Sequence, residues 1–114
     1  MLVDDIEMNY SFFKGALKKL PVELDWADDA FKAIEMLVKK KYDLILMDVH
    51  MPRMNGLQLT RKIRETNEEV IIIAQTAYAM DGMEEKCLTA GCNAYTAVPI
   101  RPKDVCEIVV ERLK

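Results

Sequence analysis

Short apolar runs that alternate with amphipathic stretches are the feature that most restricts how this chain can fold. The clearest run is Asp43-Leu44-Ile45-Leu46-Met47-Asp48, in which four apolar residues stand between two acids. Because apolar and polar residues do not alternate within it, this run predicts a strand buried on both faces, as in a parallel sheet. A second run, Val70-Ile71-Ile72-Ile73-Ala74, is rich in β-branched residues and predicts another buried strand.

The remaining segments complete an alternation of five strands and five helices. Shorter strands are predicted at Met1–Val3, Val22–Ala27 and Asn93–Ala97. Helices are predicted from Asn9 to Leu20 before Pro21, after caps at Asp28 and Asn55, from Met80 to Ala90 before Gly91, and from Pro102 onward. The expected buried positions of these helices are Phe12, Phe13, Ala16, Leu17, Leu20, Phe31, Ile34, Leu37, Val38, Leu59, Ile63, Val105, Ile108, Val109 and Leu113. This pattern predicts an α/β fold, a doubly wound parallel sheet with helices on both faces and right-handed crossovers.

Length and charge restrict the class of protein. With 114 residues, 51% hydrophobic and 31% charged, the chain is expected to form one globular domain spanning residues 1–114. The net charge of -3 argues against a nucleic-acid surface on this domain. No apolar run approaches the length of a membrane helix, and the sequence turns acidic at Asp4 and Asp5 without a secretory leader, which predicts a cytoplasmic domain without membrane contact.

The cysteines do not indicate a zinc site. Cys87, Cys92 and Cys106 match no common zinc-binding spacing, and His50 is the only histidine. They are expected to be small buried or half-buried thiols in a reducing compartment.

Polar residues follow the predicted strands at the points where a doubly wound sheet binds its ligands. Asp4 and Asp5 follow the first strand, Asp48 ends the third, and Thr76 follows the fourth. Because ligands bind at the carboxyl ends of such strands, we expect the three carboxylates to converge on one edge. Clustered carboxylates repel one another, and a hard divalent cation such as Mg²⁺ relieves that repulsion. The alternative is that Asp4 and Asp5 only cap the first helix.

Several of these segments, taken in order along the chain, resemble the receiver domain of two-component response regulators. The matching residues are Val3-Asp4-Asp5, the stretch from Met47 to Gly56, Thr76-Ala77, Tyr95 and Pro99-Ile100. The stretches after Val3 and Thr76 look most like receivers attached to hybrid sensor histidine kinases. The resemblance implies a flavodoxin-like sheet with strand order 2-1-3-4-5.

The resemblance also implies a role for each matching residue. Asp48 would be the phosphorylated nucleophile, and would take its phosphoryl group from a histidine kinase or a histidine phosphotransfer domain. Mg²⁺ would be bound by Asp5, Asp48 and the main-chain carbonyl of His50, with Asp4 acting mostly through water. Thr76 would bind a phosphoryl oxygen and act as a switch together with Tyr95. Such a domain is a phosphoacceptor signalling module and not an enzyme in its own right, and a homodimer is compatible with it.

Two of these roles have plainer alternatives. Thr76 could be an ordinary hydroxyl at the end of a strand. Tyr95 could be a packing residue on an edge strand, where tyrosine is common.

One position departs from the family pattern. Val98 stands where the family carries a lysine immediately before Pro99. That lysine pairs with the aspartyl phosphate, so its absence predicts a weaker conformational response and a stronger dependence on the metal. Arg101 or Lys103 could reach back toward the site, although neither occupies the matching place.

Two other functions remain open from the sequence. The first is a pseudo-receiver, an interaction module that is never phosphorylated, which Val98 favours. The second is a phosphohydrolase with an aspartyl nucleophile. Such enzymes usually carry a second aspartate two residues after the first, where this chain has His50.

Overall fold

The computed structural model describes residues 1–77, 80–97 and 101–113 of the chain. Its strands are β1 (Leu2–Val3), β2 (Trp26–Ala27), β3 (Leu44–Asp48), β4 (Ile71–Thr76) and β5 (Ala94–Ala97). Its helices are α1 (Glu7–Ala16), α2 (Ala30–Lys39), α3 (Gly56–Arg64), α4 (Met83–Ala90) and α5 (Pro102–Leu113). All strand pairs are parallel, and the strand order is β2-β1-β3-β4-β5, which confirms the predicted doubly wound sheet.

Each face of the sheet carries its own apolar core. Leu44, Leu46 and Ile73 pack with residues of α1 and α5, and we call this side the α1/α5 face. Ile45 and Met47 pack instead with residues of α2, α3 and α4 on the opposite face. This alternation follows from the two-residue period of a strand, and it fixes the face on which every later residue of β3 and β4 lies.

The start of α2 differs from the prediction by one residue. Its N-cap is Asp29, not Asp28, and the Asp29 carboxylate accepts a hydrogen bond from the Lys32 backbone N–H at 2.7 Å. Asn55 caps α3 as predicted, in a reciprocal capping box with Gln58.

The buried face of α2 also differs from the prediction. Ala30 and Ala33 are its buried residues, and they pack in the core with Ile45 and Met47 of β3. Phe31 and Val38, predicted to be buried, are exposed. Instead of joining the core, Phe31 lies under the Arg53 guanidinium, whose carbon is 5.3 Å from the ring centroid.

The first helix and the second strand are shorter than predicted. The first helix ends at Ala16, just after Gly15, which has weak helix propensity, and Phe12 on this helix is exposed. The second strand is limited to Trp26–Ala27, because its partner β1 offers only two residues for pairing. On α5 the predicted core residues Val105 and Val109 are buried, whereas Leu113 is exposed. Within the residues described, no helix is long and apolar enough to cross a membrane.

Candidate functional site

Three carboxylates meet at the carboxyl edge of the sheet. One carboxylate oxygen each from Asp4, Asp5 and Asp48 lie within 4.8 Å of one another. The Asp4 side chain is buried, with 2% of its surface exposed, while Asp48 is half-buried and Asp5 is exposed. We call these three residues the acidic cluster. The sequence placed all three at this edge, and the structure brings them together.

Strand register explains why the cluster forms. Val3 of β1 is paired with Met47 of β3. Asp4 follows Val3 and Asp48 follows Met47, so the two aspartates are neighbours. Asp48 lies two residues beyond Leu46, which places its side chain on the α1/α5 face.

Asp4 is held by hydrogen bonds from three neighbours. Its Oδ1 accepts from the Ile6 backbone N–H at 2.9 Å, and its Oδ2 accepts from Asn9 Nδ2 at 3.0 Å. The indole Nε1–H of Trp26 donates to the Asp4 backbone carbonyl at 2.7 Å, and the Trp26 ring stacks on Tyr10. The N-cap of α1 is Ile6, and no side chain forms a capping hydrogen bond there, so the alternative in which Asp4 and Asp5 only cap the first helix is wrong. The bonds instead hold the Asp4 carboxylate in a fixed position within the cluster.

Burial, together with the neighbouring negative charges, raises the pKa values of Asp4 and Asp48. Burial, followed by the charges of Asp4 and Asp5, raises the pKa of Asp48 to about 7, against the lowering effect of a hydrogen bond from the His50 backbone. Burial likewise raises the pKa of Asp4 above its usual range, although the bonds from Ile6 and Asn9 oppose this. Near neutral pH the cluster is thus a set of close oxygen donors whose negative charge is poorly compensated. Such a donor set fits Mg²⁺, which prefers carboxylate oxygens and relieves their repulsion.

The other predicted site residues occupy distinct positions around the cluster. His50 is exposed, and its backbone N–H donates to Asp48 Oδ1 at 3.1 Å. Thr76 ends β4 and is buried, with 1% of its surface exposed. Tyr95 is half-buried on β5 and packs against the core on the side of α2, α3 and α4. Its position is compatible with both the switch role and the packing role.

Arg101 and Lys103, the two cations predicted to reach back toward the site, lie at the start of α5. Val98 lies outside the described residues. Arg101 is engaged at the start of α5, where its Nε and NH2 groups donate to the Asp104 carboxylate at 3.0 and 3.2 Å. Lys103 is exposed on the same helix.

Three polar neighbours of the cluster were not predicted. Asn9 and Trp26 bond to Asp4, and Gln75 lies next to Asp48 in the sheet register. A polar residue such as Gln75 at the end of a strongly apolar run was the one sequence signal that could have drawn attention to this group.

An open parallel sheet with carboxylates at the ends of β1 and β3 defines the class of doubly wound proteins that bind ligands at the carboxyl edge. A family model described as the response regulator receiver domain matches residues 1–110, and the chain belongs to this family. Receiver domains are signalling domains of two-component systems, in which phosphorylation and Mg²⁺ binding are typical.

Individual relatives and solved structures agree with this assignment. The chain is 33% identical over 102 residues to the polar-differentiation response regulator DivK of Brucella anthropi, covering 88% of this chain and 83% of DivK. It is 35% identical over 106 residues to the autoinducer 2 sensor kinase/phosphatase LuxQ of Vibrio vulnificus, covering 92% of this chain but only 12% of LuxQ. A response regulator from Thermotoga maritima superposes with a TM-score of 0.91 at 27% identity, over 99% of this chain and 94% of that one. A CheY-like receiver domain protein from Methanospirillum hungatei also superposes with a TM-score of 0.91, at 28% identity. That superposition covers 98% of this chain and 90% of the other.

Proposed function

We propose that this chain, as a single receiver domain over residues 1–114, accepts a phosphoryl group on Asp48 in the presence of Mg²⁺. The donor would be a phosphohistidine on a histidine kinase or a histidine phosphotransfer domain. The observation that carries the proposal is the acidic cluster, in which Asp48 ends a central strand with two further carboxylates within 4.8 Å. The match to a sensor kinase/phosphatase also supports a place for such a domain in a phosphorelay.

The transfer itself is an in-line displacement at phosphorus. A carboxylate oxygen of Asp48 attacks phosphorus and forms a new P–O bond, while the bond from phosphorus to the donor imidazole breaks and leaves its electron pair on nitrogen. When bound, Mg²⁺ supplies the positive charge that offsets both the carboxylates and the transferred oxygens. Asp48 must be ionised to attack, which a neighbouring cation favours by lowering its pKa.

Each member of the cluster has a distinct part in this proposal. Both carboxylate oxygens of Asp4 already accept hydrogen bonds from Ile6 and Asn9, which supports contact with Mg²⁺ mostly through water. Asp5 is exposed and, with Asp48 and the His50 carbonyl, would bind the metal directly. The His50 N–H bond to Asp48 Oδ1 orients the nucleophile and leaves Oδ2 for attack. Thr76, at the end of β4, would bind a phosphoryl oxygen and act with Tyr95 as the switch.

The decisive experiment is intact mass after incubation with acetyl phosphate, with and without Mg²⁺, beside an Asp48→Asn control. One added phosphoryl group that requires both Mg²⁺ and Asp48 is the expected result. No adduct under any condition would contradict the proposal and favour the pseudo-receiver, for which Val98 is the supporting residue. Steady release of phosphate from an ester substrate would instead support the alternative function, a phosphohydrolase with Asp48 as its nucleophile. A homodimer and the absence of nucleic-acid contact stay predictions.

A further inference from the structure

Gln75 is a buried side chain whose polar groups have no partner in the described part of the protein. Only 3% of its surface is exposed, and neither its Nε2 nor its Oε1 forms a hydrogen bond there. A buried amide without partners opposes folding, and native proteins rarely keep one unless it has a further role. The position of Gln75 in the sheet indicates what that role is.

The residue lies in a row with the acidic cluster. Ile73 of β4 packs on the α1/α5 face, so Gln75, two residues further on, projects to the same face. Gln75 is paired in register with Asp48 on β3 and with Thr96 on β5. Since Asp4 is the next neighbour of Asp48 on the other side, Asp4, Asp48 and Gln75 follow one another across three adjacent strands.

A phosphoryl group on Asp48 would need hydrogen-bond donors on this face. Phosphoryl transfer spreads negative charge over three equatorial oxygens, and these would lie beside carboxylates that are themselves negative. In the described residues, no lysine or arginine forms an ion pair with the acidic cluster. The sequence carries Val98 where the family pattern has its lysine. The Gln75 amide provides two N–H donors without a full charge.

We propose that Gln75 is a phosphoryl-binding residue, whose Nε2–H donates a hydrogen bond to an oxygen of the phosphoryl group carried by Asp48. It supplies part of the stabilisation that a lysine gives elsewhere in the family, and it finds its missing partner only in the phosphorylated state. This inference rests on the proposed phosphorylation of Asp48 and adds a specific residue to it.

The test compares wild type with Gln75→Met, which keeps the length of the side chain but removes its donors. Thr96→Val is the matched control, because it removes a polar group from the neighbouring strand on the same face. The readouts are the rate of adduct formation from acetyl phosphate at saturating Mg²⁺, the Mg²⁺ affinity, and the apparent affinity for beryllium fluoride as a phosphoryl mimic. We expect Gln75→Met to lower the rate and the beryllium fluoride affinity about tenfold, in line with the loss of a hydrogen bond to a charged group. Mg²⁺ affinity should change little, and Thr96→Val should resemble wild type.

An independent measurement follows the side-chain amide directly. In ¹⁵N-labelled wild type, the Gln75 NH₂ resonances should shift when beryllium fluoride is added to the Mg²⁺-bound domain. Equal rates in wild type and Gln75→Met, with unshifted amide resonances, would overturn this inference and leave the proposed function intact. A matching loss of Mg²⁺ affinity would also overturn it, since the amide would then act on the metal site or the fold. If wild type forms no adduct, both the proposed function and this inference are wrong.

Discussion

The acidic cluster should make the metal-free domain less stable as its carboxylates ionise, and Asp48→Asn isolates this effect. Asparagine retains a side-chain oxygen that can accept the His50 N–H, so the variant removes a charge with little change in shape. Burial and two neighbouring acids raise the pKa of Asp48 from 3.8 to about 7 in the folded domain. The folded state therefore binds this proton more tightly than the unfolded chain does.

The sign and size of the effect follow from that difference. The stabilisation from the protonated carboxyl is complete below the unfolded pKa of 3.8 and is lost as pH rises through about 7. At about 1.4 kcal/mol for each pKa unit, a difference of about three units sets an upper limit near 4 kcal/mol. Because Asp48 is only half-buried and its neighbours can relax, we expect about 2 kcal/mol. Asp48→Asn should thus be more stable than wild type at about pH 8 and nearly equal to it at about pH 3.5, where Asp48 is protonated in both the folded and the unfolded state.

Urea unfolding followed by the fluorescence of Trp26, the only tryptophan, measures both proteins in EDTA at the two pH values. Repeating the series with Mg²⁺ supplies the control, since a ligand at 100 times its Kd stabilises the folded state by about 2.7 kcal/mol. Wild type should gain this stability and the asparagine variant much less. A variant that is no more stable than wild type in EDTA at about pH 8 would refute the electrostatic reasoning, as would a difference that does not depend on pH.

Three further predictions test the fold and the expected effect of Val98. Asp29→Ala should destabilise the domain by about 1 kcal/mol through loss of the α2 cap, while Asp28→Ala should change the unfolding free energy by less than about 0.5 kcal/mol; equal effects in urea unfolding would return the cap to Asp28. Gly56→Ala should lower both stability and the rate of adduct formation, because a methyl group there would overlap the Asp48 carbonyl and lie 2.9 Å from the Val49 Cα; wild-type values for both would contradict this close packing. Val98→Lys should raise the rate of adduct formation and sharpen the conformational response seen by NMR; no change in either would show that the lysine argument is wrong.

The sheet could be predicted from the sequence because its central strands, β3 and β4, consist mainly of uninterrupted apolar runs. The two strands β3 and β4 and the Asn55 cap of α3 were all foreseen from local signals of this kind. Hydrophobicity alone assigned Phe12 of α1 and Leu113 of α5 to the core, and both are exposed. The same error falls on α2, where hydrophobicity assigned Phe31 and Val38 to the core. Close packing of Ala30 and Ala33 decided the buried face instead, and such packing depends on the distance between helix and sheet, which a single sequence does not contain.

The acidic cluster was foreseen for a different reason. Parallel strands bring their carboxyl ends to one edge, so Asp4, Asp5 and Asp48 could be placed together from strand order alone. The contacts of Asn9 and Trp26 with Asp4 could not, because they depend on where α1 and β2 lie relative to β1. The position of Gln75 required strand register as well, since a shift of one residue would have turned its side chain to the other face.

The proposed roles of Gln75 and Mg²⁺ both depend on the balance of charge around Asp48. A lysine about 4 Å from the phosphoryl group is worth roughly 4 kcal/mol at an effective dielectric constant near 20, before desolvation is subtracted. The neutral amide of Gln75 can replace the directional hydrogen bond of such a lysine but not its charge. We therefore expect the compensation that remains to come from the Mg²⁺ that the acidic cluster is proposed to bind, to which Asp4 contributes a carboxylate fixed by Ile6 and Asn9. We therefore expect phosphorylation of a domain with Val98 and Gln75 to depend more steeply on Mg²⁺ than phosphorylation of receivers with a lysine at the position of Val98.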